Sequence, residues 1–283
     1  MPDLIVIGAG LSGLALARAA AQRGAEVVIL EARARVGGRV LSHRAAAGAY
    51  DLGPAWVWPS IQPRIARAVQ AAGLSLYEQA ETGGVVYQDH TGRTQRLPRG
   101  FAQEPPSMRI TGGVTALVEA VAAGLAPGVV RLEHAVRRIG LTGSGVAVTA
   151  ETPSGPLMLS ATRAALALPP RLIAEIGIVP ALPPPAQKAL AGVPGWMAGQ
   201  AKALALYDLP VWREAGLSGS AFSQAGPLGE LHEASLPAPP RPPCSASSPG
   251  RPLYATHDAR PCRNWLHANS ACSSAPRRHG RAS

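Results

Sequence analysis

The first apolar run of the chain, "DLIVI" at residues 3–7, is continuous rather than alternating, as expected for a parallel strand buried on both faces. A glycine turn, "GAGLSG", follows. After it "LALARAAAQRG" takes up helical spacing, with Leu14, Ala17 and Ala21 on one face and Arg18, Gln22 and Arg23 on another. Gly24 stands where a helix C-terminus calls for positive φ. "AEVVILE" is a second apolar strand, so one βαβ unit fills the opening segment.

Further along, Ile61, Ile65, Ala68 and Ala72 recur at helical spacing and Gly73 closes the run. "GVVYQ", "DHTG" and "RTQRL" predict a hairpin, and "GGVTALVEAVAAGL" a helix behind two glycines. Between Val129 and Val148 the pattern turns to strands around "TGSG". "RAALALPP" ends a strand at two prolines, helices are predicted over 170–176 and 185–191, and "QAKALALY" is strand-like. After Leu236 the pattern breaks. Seven prolines fall between 237 and 252 among Ser, Arg and Ala, and neither period survives, so 237–283 is predicted to be disordered.

The charge follows the same break. The formal net charge is +10, but seven arginines and one acid (Asp258) after Leu236 supply +6 of it. A basic tail without structure is no footprint for nucleic acid, and no nucleic-acid partner is expected. All three cysteines, Cys244, Cys262 and Cys272, lie in that tail, so the body carries no disulfide framework and no metal-ligand spacing. The chain enters a strand at Asp3 without a secretory pattern, and no apolar run approaches the ~18 residues of a membrane span. A cytoplasmic protein with no membrane partner is the expectation.

Chemistry gathers at the N-terminus. Gly8, Gly10 and Gly13 form G-x-G-x-x-G between a strand and a helix. The first glycine permits the tight turn, the second lets a pyrophosphate approach the backbone, and the third allows close helix–strand packing. The helix N-terminus then offers oriented N–H groups to the phosphates, and Ser12 can add a hydroxyl. Glu31 ends the second strand at the distance where an acid accepts hydrogen bonds from a ribose diol. Nicotinamide and flavin dinucleotides share that much. Gly37-Gly38-Arg39 adds a second backbone approach and a guanidinium suited to phosphate oxygens, and this second clamp fits the longer FAD.

At this point the sequence resembles the flavin-containing amine oxidases, the monoamine oxidase-like group. "VIGAGLSGL", "VVILEARARVGGRV" and "YDLGPAWV" match the N-terminal pattern. "RITGGVTALVEAVA", "VRLEHAVRRI" and "AKALALYDLPVW" follow in order, so the resemblance covers residues 3–236. It implies an α/β fold in which a Rossmann-like FAD-binding domain is interleaved with an α+β substrate domain, with the C-terminal portion incomplete. Residues 1–80 are expected to open the FAD-binding domain. Residues 81–160 would supply substrate-domain strands and a helix, with 111–140 partly returning to the FAD domain. Residues 161–236 would hold a return strand plus a further substrate-domain portion, and 237–283 the tail. The resemblance places Gly8, Gly10, Ser12, Gly13, Glu31, Arg33, Gly38, Arg39 and Val136 along non-covalently held FAD, with Gly53 near the flavin.

Lys202 is one of only two lysines, with Lys188, and shares strand parity with Leu204 and Leu206. The resemblance gives it a catalytic part, holding a water near flavin N5 and assisting reoxidation by O2. The implied reaction is hydride-like transfer from the carbon beside an amine, imine hydrolysis, and reduction of O2 to H2O2. Its implied partners are a small-molecule amine and O2. The same N-terminal motifs occur in related desaturases and porphyrinogen oxidases, and an inert FAD-binding protein is the non-enzymatic alternative. Trp56, Trp58, Trp196 and Trp212 could wall a pocket, but each equally fits ordinary packing.

Two departures stand out. Pro54 replaces a family glycine and removes an N–H near the flavin. No later family segment is recognisable after Leu236, which predicts a tail read in another frame. Shifting one or two bases near codon 237 would then restore a family-like C-terminus, with impaired turnover in the chain as it stands.

Overall fold

The computed structural model describes all residues except 47, 101–102, 196, 198, 208, 237–250 and 259–283, and over Arg251–Asp258 it describes the backbone alone. The chain divides into two compact units. One comprises Met1–Gln79, Gln103–Ala198 and Leu236–Ala238; the other comprises Ala80–Ala102, Gly199–Ser235 and Pro239–Ser283.

In the first unit, β1 (Leu4–Ile7) is an inner strand of a four-stranded sheet. It pairs in parallel with β2 (Val27–Leu30) on one side and with Arg163–Leu166 on the other, and Val130–Arg131 extends the sheet beyond β2. Helix α1 (Leu11–Ala21) makes the crossover. Alternation along β1 explains why its apolar run is unbroken. Val6, with Ile29, packs in one core with Leu14 and Ala17 of α1 and with Leu117, Val118 and Val121 further along the chain. Ile5 and Ile7, with Val28 and Leu30, pack on the other face against Ile139, Val146, Val148 and Ala150. Those last residues belong to an antiparallel sheet, Ala135–Thr142, Gly145–Thr152 and Gly155–Ala161, that covers the second face.

The hairpin of β3 (Ser42–Ala45) and β4 (Gly48–Asp51) precedes α2 (Pro63–Ala71), and α3 (Gly113–Ala123) begins at the second glycine of Gly112-Gly113. Helix α2 starts later than the apolar spacing suggests. Pro63 occupies the first turn, where its missing N–H costs nothing. Ile61 is left ahead of the helix and 66% exposed. The helix predicted over 170–176 is shorter, Pro170–Ile173, and the next runs Pro184–Gly192.

The second unit is built on a six-stranded sheet in the order Gln200–Tyr207, Arg251–Asp258, Glu230–Glu233, Leu217–Ser223, Gly84–Gln88, Thr94–Leu97. The predicted hairpin is its far end. The strand Arg251–Asp258 corrects the expectation that all of 237–283 is disordered: it pairs antiparallel with Gln200–Tyr207 and with Glu230–Glu233. A strand inserted between two others satisfies its backbone groups on both edges. That demand does not register in side-chain periodicity. The rest of the tail, with Cys244, Cys262 and Cys272, lies outside the described residues.

Candidate functional site

The turn after β1 is shaped by contact. A Cβ on Gly13 would lie 2.0 Å from the Gly8 carbonyl oxygen, so α1 leaves the turn at a distance only glycine permits. At Gly10 a Cβ would meet nothing within 4 Å, and the space above it is open. Gly10 is also the N-cap of α1, which has no side-chain cap and no acid in its first turn. The helix N–H groups and the positive end of its dipole are therefore available to an anion. Ser12 is exposed on that first turn.

The second glycine segment lies directly against the first. Gly37 N–H donates to Ala9 O at 2.8 Å, Gly10 and Gly37 form a parallel bridge, and a Cβ on Gly38 would sit 3.5 Å from the Gly10 Cα. Gly37 and Gly38 have φ of +103° and +59°, so the loop turns through conformations that side chains resist. The Arg39 side chain is exposed. Gly53 passes so close that a Cβ there would lie 2.3 Å from the Arg39 carbonyl, and Gly53 N–H donates to Leu41 O at 3.0 Å.

Glu31 is buried. Its Oε2 accepts the Ala9 N–H at 2.8 Å and its Oε1 the Arg33 N–H at 3.0 Å. A carboxylate has roughly four acceptor sites, so this anchoring leaves capacity for a diol. Beside it, Glu31 N–H donates to Arg131 O, His134 N–H to Glu31 O and Glu133 N–H to Arg33 O. Glu133 makes this turn at φ 58°, a value uncommon outside glycine. Val136 follows two residues after His134 and packs, half-buried, on the core that contains Ile7 and Leu30.

Gly8, Gly10, Ser12, Gly13, Glu31, Arg33, Gly38, Arg39 and Gly53 thus lie along one continuous set of contacts, with Val136 on the adjoining strand. Lys202 belongs to the second unit. It is half-buried on Gln200–Tyr207, level with Thr256; Leu204 on the same strand face is half-buried, whereas Leu206 is 50% exposed.

Several residues were not picked out from sequence. Asp51 is buried at the end of β4, accepts Ser42 Oγ–H at 2.6 Å and caps α3 through Val114 N–H at 2.8 Å. Arg35 folds back on its own loop, donating from Nη1 to Val36 O and Val40 O and from Nη2 to Gly38 O. Asp51 is the last residue of β4 and lies within "YDLGPAWV", where nothing in the sequence marks it off from its neighbours, and Arg35 reads as one arginine among three. Of the tryptophans, Trp56 donates to Gln79 Oε1 at 3.0 Å and lies under the buried Arg109 guanidinium. Trp58 is 6.4 Å from Trp56, and Trp212 is buried against Glu233. Trp196 lies outside the described residues. Tyr77 is level with Arg109 across its strand pair, and burial pushes its hydroxyl up to about 12, Arg109 opposing the rise and Asp51 adding to it.

Residues 6–72 match the model of the NAD(P)-binding Rossmann-like domain, and residues 90–259 match that of the flavin containing amine oxidoreductases. The second match spans more than half of the 283 residues. The chain belongs to the flavin-containing amine oxidoreductase family. Mycobacterium tuberculosis AofH, named as a flavin-containing monoamine oxidase, is 28% identical over an alignment covering 80% of this chain and 69% of that protein. Human amine oxidase [flavin-containing] B is 41% identical over 86 residues, 30% of this chain and 16% of that protein. The structure of putrescine oxidase bound to putrescine superposes with a TM-score of 0.74 at 21% identity, over 96% of this chain and 78% of that one, a likeness of fold. The family match extends to residue 259, beyond Leu236, where the resemblance was expected to stop.

The family's cofactor is FAD, and the cradle suits it. The open space at Gly10, the uncapped helix end, the arginine-bearing glycine loop and the anchored Glu31 offer the groups a dinucleotide requires.

Proposed function

We propose that the chain oxidises an amine with O2, using FAD held at the Gly8–Gly13 turn and the Gly37–Arg39 loop. The joining of those two segments by the Gly10–Gly37 bridge carries the reading, because it sets two backbone approaches and an acid around one elongated ligand. Gly8, Gly10, Ser12 and Gly13 receive the phosphates, Glu31 the ribose, Arg33, Gly38 and Arg39 the pyrophosphate flank, Val136 the adenine side and Gly53 the flavin side. When bound, FAD supplies the two-electron acceptor.

Lys202 is the proposed catalytic side chain, acting near the point where O2 is reduced. Its support is the matching strand "AKALALYDLPVW" and its half-buried position on that strand. Names of relatives extend the substrate class to monoamines and putrescine. Weak turnover is part of the proposal, on the composition break after Leu236.

The test is a flavin spectrum of the purified protein and peroxide release across a panel of amines that includes putrescine. A yellow protein that releases peroxide supports the reading, and Lys202→Met should slow reoxidation by at least ~10-fold while leaving bound FAD unchanged. Bound FAD with no peroxide from any amine rejects the oxidase and leaves an FAD-holding protein or a related desaturase.

A further inference from the structure

We infer that Arg35 is a positioning residue of the cradle, holding the Gly37–Arg39 loop in the form that receives the dinucleotide. This rests on the reading that the cradle binds FAD. The guanidinium reaches three carbonyls of its own loop: Nη1 donates to Val36 O at 3.0 Å and Val40 O at 3.1 Å, and Nη2 to Gly38 O at 2.9 Å. Arg33 Nη1 adds a donation to Gly38 O at 3.2 Å.

A trans peptide directs its N–H opposite to its C=O. Each carbonyl drawn to Arg35 therefore turns the next N–H outward. The Val36–Gly37 peptide shows the effect: its carbonyl meets Arg35 and its N–H reaches Ala9 O in the first glycine turn, at 2.8 Å. By the same geometry, the Gly38 carbonyl held by Arg35 and Arg33 turns the Arg39 N–H away from the guanidinium, as an anion-binding loop requires.

The glycines supply the freedom and the arginine removes it. Gly37 and Gly38 sit at positive φ, which an unrestrained loop would exchange for many other conformations. A Cβ on Gly37 would lie 3.5 Å from Arg35 Nη1 and 3.0 Å from Val40 O, so the guanidinium lies against the turn it organises. Three carbonyls at different angles match the planar fork of a guanidinium; the compact ammonium of lysine cannot span them. Arg35 also brings positive charge to the loop without occupying the outward N–H groups.

The experiment compares Arg35→Lys and Arg35→Gln with the unaltered full chain. Apoprotein is titrated with FAD by fluorescence quenching, fold is followed by circular dichroism, and amide exchange over 36–41 is measured without FAD. Positioning predicts at least ~10-fold weaker FAD binding in both variants, no rescue by lysine, and faster exchange confined to 36–41. FAD affinity retained by Arg35→Lys but lost by Arg35→Gln would reduce the residue to a charge and overturn the inference. Unchanged affinity in both, or loss of the whole fold in both, overturns it as well. If the unaltered chain fails to bind FAD, the cofactor reading falls first and this inference with it.

Discussion

Glu31 and Glu233 are both buried carboxylates, exposed at 7% and 1%, and their surroundings differ in kind. Glu31, in the first unit, accepts two backbone N–H groups beside an open glycine turn, so the acid is held in place with acceptor capacity left over. Glu233, in the second unit, meets the Arg213 guanidinium through both oxygens and also accepts Trp212 Nε1–H at 3.0 Å. Gly219 lies so near that a Cβ there would come within 2.9 Å of the Glu233 Cβ and of Trp212 Nε1. Burial alone does not make an acid a site. What separates the two is whether the partners are fixed backbone beside open space or side chains that close over the group.

The comparison can be broken most forcefully at the turn itself. Gly13→Ala places a Cβ against the Gly8 carbonyl, and backbone on both sides cannot yield. The variant should lose about 3 kcal/mol of stability and retain no flavin on purification, as read by thermal unfolding and the visible spectrum. Retention of full FAD content would show that the turn has room the contacts deny it.

Exchanging each acid for its amide sharpens the contrast. Glu233→Gln removes the charge opposite Arg213, which is 39% exposed and can turn partly to water. Loss of about 2 kcal/mol is expected, with FAD affinity unchanged. Glu31→Gln sets an NH2 against the N–H of Ala9 or of Arg33, and FAD affinity should fall by about tenfold, for roughly 1.4 kcal/mol. If Glu31→Gln lowers only stability, as Glu233→Gln should, the two acids share one structural role.

The last effect is one of pH, and it is nil at neutrality. The Tyr77 hydroxyl is raised from 10.0 to about 12 by burial, so the folded state holds its proton more tightly than the unfolded chain. Its contribution to stability is complete below pH 10 and is lost as pH rises from 10 through about 12. Tyr77→Phe should flatten the unfolding temperature across that window, and an unaltered slope would place the alkaline sensitivity elsewhere.

How much could be read in advance differs between the two units for one reason, the sequence distance over which contacts form. The βαβ unit, its glycine fingerprint and Glu31 lie within the first thirty-odd residues, and each requirement is written in a residue type beside its neighbour: continuous apolar strands, glycines at the turn, an acid at a strand end. The start of α2 was less legible, because the apolar spacing that includes Ile61 pointed two residues ahead of Pro63.

Composition and periodicity also identified the change after Leu236, but could not show that Arg251–Asp258 still finds two strands to pair with, because backbone pairing is indifferent to the pattern that failed there. The caps and clamps were decided only in three dimensions. Asp51 holds Val114 across 63 residues, Glu233 closes on Arg213 in a fold no local rule predicts, and Arg35 turns inward while Arg33 and Arg39 stay exposed. A side chain's type states which bonds it can make; the direction in which it makes them is set by atoms that arrive from elsewhere in the chain.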